Sequence, residues 1–221
     1  MSNDLLLAIA GLIPLLLSLS VHEYAHGWSA RRLGDDTAER LGRLTLNPIA
    51  HIDVFGTLLL PLFLALSHSP FMFGWAKPVP INPARFRRDV RMSTGMALTA
   101  GAGPGSNVVL AVLSTLAFAL LGRYAPELFV TYPSVRLLLV EMIGINVLLA
   151  LFNLIPVPPL DGSRIVDAFI PTRLRPQWEA FTRLAPFLLI GVMIFGGRLI
   201  SGPSRLVFSL LQRLVDAIVG T

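Results

Sequence analysis

The run LLLAIAGLIPLLLSLSVHEYAHGWSA, Leu5 to Ala30, is long and apolar enough to cross a bilayer, yet it carries His22-Glu23-Tyr24-Ala25-His26 near its end. Residues four apart on a helix share a face about one turn apart, so both imidazoles reach one cation. The glutamate beside the first histidine is then placed to take a proton from a water held by that cation. A hydrolytic metal motif thus sits inside a membrane span, and this decides how the rest of the chain is read.

Hydrophobic residues make up 54% of the 221-residue chain and charged residues 14%, with mean hydropathy +0.70. A soluble domain carries about 25% charged residues, so the composition is that of a multi-pass integral membrane protein. The N-terminal Met1-Ser2-Asn3-Asp4 lacks the basic region of a signal peptide, and the motif helix is expected to be retained. With no cysteine, disulfide frameworks, thiolate zinc sites and cysteine nucleophiles are excluded. The excess of 18 Lys+Arg over 13 Asp+Glu belongs to the cytoplasmic bias of basic loops and not to nucleic-acid binding.

Six apolar segments follow one another: A (Leu5–Ala30), B (Val54–Phe73), C (Met92–Leu121), D (Val135–Ile155), E (Leu184–Ile200) and F (Leu206–Val219). Basic clusters follow A (Arg31, Arg32, Arg40, Arg43), B (Lys77, Arg85, Arg87, Arg88, Arg91) and D (Arg164, Arg173, Arg175, Arg183). The positive-inside rule puts all three in the cytoplasm and the N-terminus outside. Both flanks of B are then cytoplasmic, and with Pro61 in its middle and His68-Ser69-Pro70 near its end B is expected to dip in and return. Segments E and F are read as a closing hairpin, with Arg198, Arg205 and Arg213 making F a candidate interfacial helix. The fold class is all-α polytopic: one domain over residues 1–221, about five transmembrane helices, a re-entrant segment and a short cytoplasmic strand at Gly42–Pro48. The proline-rich Lys77–Pro83 reads as extended chain.

Hydrolytic zinc takes three protein ligands and keeps one position for water, so two histidines are incomplete. His51, His68 and the aspartates are the candidates, and Asp161 is the best placed. Three prolines in Pro156-Val157-Pro158-Pro159 end helix D near Ile155, on the membrane side to which A delivers His22 and His26. Read alone, Asp161 is the N-cap of a helix beginning at Gly162. Asn146 and Asn153 share a face of D; the first suits interhelical hydrogen bonding and the second, close to Asp161, suits substrate contact. Gly101-Ala102-Gly103-Pro104-Gly105 follows no strand, so it is no dinucleotide loop; Ala97, Gly101 and Gly105 read as a helix-packing face. His51 is either a partner near the metal or an anchor for the turn after the strand, and the anchor is preferred.

These residues resemble the site-2 protease family of intramembrane zinc metalloproteases, in a compact form without a PDZ or other regulatory domain. The resemblance rests on His22–His26, on Gly42–Pro48 with Ala50-His51-Ile52-Asp53, on Gly74–Pro80, on Ala102–Asn107 and on Asn153–Gly162. It differs from better-known members in having no span before the motif helix and in carrying segment B. The resemblance implies one zinc per chain on His22, His26 and Asp161, with Glu23 as general base and Asn153 positioning the scissile carbonyl. It also implies transmembrane-segment protein substrates cut in or near the lipid bilayer after local unwinding, at a site facing the cytoplasm. The strand around Leu44 is then a candidate to pair with unwound substrate, and Leu44 and His51 are candidate substrate or metal-side contacts. Because an intact helix shields its own peptide bonds, substrates should contain helix-destabilising residues. The competing readings are a catalytically silent metal-binding scaffold and a transporter using the His/Asp site for an ion; neither needs a general base at Glu23.

Overall fold

The computed structural model describes residues 3–67 and 74–220, whose regular elements are all helices, with no strand among them. Helix α1 (Asn3–Arg32) runs through Pro14 and ends on Arg31 and Arg32, followed by the short α2 (Thr37–Arg40). An irregular stretch leads to a 3-10 turn at Pro48–His51, a π turn at Val54–Leu59 and α3 (Leu60–Leu66). A non-helical strap, residues 74–82, and a 3-10 turn at Pro83–Arg85 lead into α4 (Met92–Tyr124). The short α5 (Pro126–Thr131) turns the corner into α6 (Pro133–Asn153). Then come α7 (Asp161–Asp167), a 3-10 turn at Thr172–Leu174, α8 (Arg175–Arg183) and α9 (Ala185–Val219). Two of the turns have the same local cause. Asn47 and Asn82 each accept a hydrogen bond from the N–H two residues on, and the proline that follows each has no N–H to satisfy.

Helix α4 is the centre of the bundle, in contact with α1, α6, α7 and α9. Its buried face recurs every fourth residue: Gly95, Thr99, Gly103, Asn107, Ala111, Thr115 and Ala119. These small or polar side chains let neighbouring backbones approach, the packing expected where lipid supplies no hydrophobic drive between helices. Helices α1 and α6 both run antiparallel to α4, so His26 meets Thr99 and His22 meets Asn107, while Asn107 meets Asn146. The C-terminal ends of α1 and α6 and the N-terminal end of α4 therefore lie together. Arg85 of the second basic cluster pairs there with Asp36, which follows α1. Burial pushes the Asp36 carboxyl up, but Arg40 and Arg85 beside it hold it below its ordinary value.

Among the described residues, three helices are long and apolar enough to cross a membrane: α4, α6 and α9. Segments C and D correspond to α4 and α6. Segments E and F do not form a hairpin; they are two halves of α9. Ser201-Gly202-Pro203-Ser204 reads as a turn, but the buried stripe continues across it from Val192 and Gly196 to Leu211. The serines bond back to carbonyls three residues earlier, Ser201 to Arg198 and Ser204 to Ser201. Near its start α9 packs on Val157 and Leu160, and at its end the guanidinium of Arg123 caps the carbonyls of Ile218 and Val219. It thus traverses the whole bundle, about 52 Å at 1.5 Å per residue.

The expected strand at Gly42–Pro48 is likewise absent. No second strand lies alongside to complete a ladder, and the stretch is fastened by side chains: Arg43 donates to Lys77 O at 2.7 Å, and the His51 ring meets Thr45 O at 2.8 Å. In segment B the apolar helix Val54–Leu64 spans about 16 Å, half a bilayer core. Its far end, with His68-Ser69-Pro70, lies outside the described residues.

Candidate metal centre

His22, Glu23 and His26 lie on one buried turn of α1, and all three are at most 9% exposed. Asp161 reaches them from the first turn of α7. The proline-rich loop after α6 brings it there by folding back so tightly that a Cβ on Gly162 would stand 2.2 Å from Leu154 O. Asp161 is not a helix cap: Leu160 holds that position, with no capping side chain, and the Asp161 carboxylate turns to the histidines. Nε2 of His22 and Nε2 of His26 lie 3.0 Å apart, and Asp161 Oδ2 lies 3.2 Å from the first and 3.3 Å from the second.

The partners on the other side of each ring decide what this triangle can hold. His22 Nδ1 lies 2.5 Å from Asn107 Oδ1, and His26 Nδ1 lies 2.7 Å from the carbonyl of Thr99. A carbonyl accepts only, so Nδ1 of His26 carries the proton. Asn107 presents its oxygen to His22 because its Nδ2 donates to Asn146 Oδ1 at 2.7 Å, while Asn146 Nδ2 donates to Ser18 Oγ and Met142 O, both at 2.8 Å. With both Nδ1 atoms protonated, the two Nε2 lone pairs and the Asp161 carboxylate point at one spot. Asp161 Oδ2 has no hydrogen-bond donor of its own. Giving each imidazole a second proton would set two cations side by side in a buried site, whereas one divalent ion satisfies all three atoms. Tetrahedral bonds of 2.0–2.1 Å separate ligand atoms by about 3.3–3.4 Å, so the observed edges fit one face of such a site. The donor set, two imidazoles and a carboxylate, suits zinc, and the fourth corner is left for water. Among the described residues this is the one such cluster of His, Asp and Glu.

The other residues of interest fall around the triangle. Glu23 Oε2 accepts a 2.7 Å hydrogen bond from the backbone N–H of Val79. Leu44 and Val79 pack against Gly27, one residue beyond His26: a Cβ on Gly27 would stand 3.2 Å from each side chain. His51 lies outside the triangle. It is buried in the loop, its ring on Thr45 O and its carbonyl accepting from Lys77 N. Asn153 is half-buried at the end of α6, where its Nδ2 donates back to Leu149 O at 3.0 Å and not to the triangle.

The sequence assigned no role to Asn107, Thr99, Gly103, Ser18 or the Val79 amide. The signal for the first three was present as the every-fourth-residue stripe of small and polar positions on α4. The stripe also corrects the packing face. A Cβ on Gly105 would meet nothing within 4 Å and one on Gly101 only Ile165 at 3.9 Å, but one on Gly103 would stand 2.4 Å from His26 Nε2 and 2.7 Å from His22 Cε1. Gly103 is the glycine that lets α4 lie against the imidazoles.

The family model of peptidase family M50 matches residues 130–195, which include Asn153 and Asp161. Curated relatives carry the name "Putative zinc metalloprotease". YwhC of Bacillus subtilis is 40% identical over 164 residues, covering 74% of this chain and 70% of that protein. Rip2 of Mycolicibacterium smegmatis is 32% identical over 198 residues, 86% of this chain and 66% of the relative. Rip2 of Mycobacterium tuberculosis is 32% identical over 182 residues, 81% and 63% respectively. The chain thus spans about two thirds of the length of these relatives. No solved structure matches it significantly.

Proposed function

The chain belongs to peptidase family M50, the site-2 protease family of zinc metalloproteases, and from that premise we propose that it is an intramembrane endopeptidase using one zinc per chain. The observation that carries this reading is the convergence of three metal-seeking atoms, His22 Nε2, His26 Nε2 and Asp161 Oδ2, beside a buried glutamate. Zinc held there would supply Lewis acidity toward a peptide carbonyl and lower the pKa of a water to about 7. Glu23 takes the proton of the attacking water and returns it to the leaving nitrogen as the C–N bond breaks. Asn107 and the Thr99 carbonyl hold the two imidazoles in the tautomer that leaves Nε2 free.

The substrates are transmembrane segments of other proteins. The site lies in a bundle whose neighbouring helices α4 and α6 are each apolar enough to span a bilayer. The basic clusters gathered at that end support a cytoplasmic-facing site and an N-terminus on the other side. In this reading segment B re-enters the bilayer from the same side, and a polar path from the cytoplasm brings water to Glu23. Asn153 turns toward substrate only when substrate is present.

The test is to co-reconstitute the purified protein in liposomes with tagged single-span substrates and map the products by mass spectrometry. Cuts inside the span, faster in Gly- or Pro-containing spans than in poly-leucine, are the expected result. Cleavage confined to the soluble flanks, or equal rates on both spans, would overturn it.

A further inference from the structure

The strap that precedes α4 ends its row of backbone donors on the catalytic carboxylate. Three alternate N–H groups of this strap point the same way: Trp75 N donates to Gly56 O at 3.1 Å, Lys77 N to His51 O at 2.9 Å, and Val79 N to Glu23 Oε2 at 2.7 Å. Two of these acceptors are the backbone carbonyls that an extended segment ordinarily finds. The third is the side chain read above as the base.

The composition of the strap makes that third bond exclusive. In Pro78-Val79-Pro80 both flanking residues lack an N–H, so the Val79 amide is the sole donor of the tripeptide. The rest of the strap is fixed on both sides of it. Arg43 donates to the carbonyl of Lys77, Thr57 Oγ1 to that of Trp75, and Asn82 N donates to Asp35 Oδ2 at 2.6 Å. Ala76 packs in the cluster of Leu15 and Leu19 on α1, and the Val79 side chain seats on Gly27. The amide is therefore held from a frame that touches α1 both before and after Glu23.

We propose that Val79 is a positioning residue: its backbone N–H fixes Glu23 Oε2, so that the other oxygen, Oε1, is the one that takes and returns the proton. A glutamate has three side-chain torsions, and a buried carboxylate without such a tether would sample orientations that miss the water. The inference rests on the reading of Glu23 as base.

The test pairs Val79→Pro, which deletes the N–H, with Val79→Ala, which restores it while shortening the side chain. On a cleaved single-span substrate, Val79→Pro should lower kcat by about 10- to 100-fold with KM and zinc content unchanged, and Val79→Ala should recover most of the loss. Hydrogen–deuterium exchange supplies a readout independent of turnover and of how the proline variant folds. The Val79 amide should exchange slowly in the wild type and at least about tenfold faster in Glu23→Ala, with the Lys77 and Asn82 amides unchanged. Equal kcat in the two Val79 variants, a faster enzyme on losing the N–H, or Val79 exchange indifferent to Glu23→Ala would each overturn the proposal. A wild type that cuts no substrate, with the Val79 amide still protected by Glu23, would sink the protease reading and leave the tether standing.

Discussion

Two regions of the molecule reach the same buried turn of α1, and they do so by different means. The seam between α1, α4 and α6 works through side chains: Ser18, Asn146 and Asn107 form a chain that ends on His22, and Gly103 makes room for both rings. The strap works through its backbone, with the Val79 amide on Glu23 and the Lys77 amide on the His51 carbonyl. The seam depends on which residues are present, whereas the strap depends on where its chain is fastened. Substitutions should therefore be costly along the seam and cheap at the exposed positions of the strap, unless they remove an N–H.

The largest effect is expected at the point both regions serve. Glu23→Gln should keep zinc and lose about 10²- to 10⁴-fold in kcat, because the amide cannot accept the proton. Steady-state cleavage with zinc assayed on the same sample checks this. Next comes Gly103→Val, whose Cβ alone would fall within 3 Å of His22 and His26 ring atoms; zinc content should drop to background. Its companion Gly105→Ala, with nothing within 4 Å of the new methyl, should keep zinc and leave the Tm equal or higher. Asn107→Leu removes the acceptor that sets the His22 tautomer, and should weaken zinc binding by about 10- to 100-fold in competition titrations. The smallest effect belongs to the strap's own side chains. Lys77 is exposed, and Lys77→Ala should change stability by less than about 0.5 kcal/mol and leave cleavage intact. If Lys77→Ala proved as damaging as Asn107→Leu, the contrast between seam and strap would fail.

What could be read from the sequence follows the same division. His22, Glu23 and His26 were legible because helix geometry places residues four apart on one face, and Asp161 because prolines end a helix at matching depth. Asn107 lay in a stretch already singled out, but its role needed the register of α4 against α1, which no local pattern supplies. Gly101 and Gly105 were favoured over Gly103 for the same reason: spacing gives a small-residue face, and only packing says which face is inside. The strand at Gly42–Pro48 was drawn from alternation alone, and alternation does not provide a pairing partner. The break expected between Ile200 and Leu206 came from Gly202-Pro203, whose turn signal was outweighed by a buried stripe that stays in phase on both sides. The Val79 contact left no trace of its acceptor in the sequence, since a backbone amide carries no side-chain signature; only the flanking prolines hinted that its donor was scarce.

Whether His22, His26 and Asp161 form one face of a zinc site can be read from zinc K-edge absorption on the purified protein. The expected spectrum is that of one zinc per chain, with two imidazole nitrogens and a carboxylate oxygen at about 2.0–2.1 Å, and with the oxygen ligand lost in Asp161→Ala. A protein that retains no zinc, or a spectrum unchanged by Asp161→Ala, would contradict it.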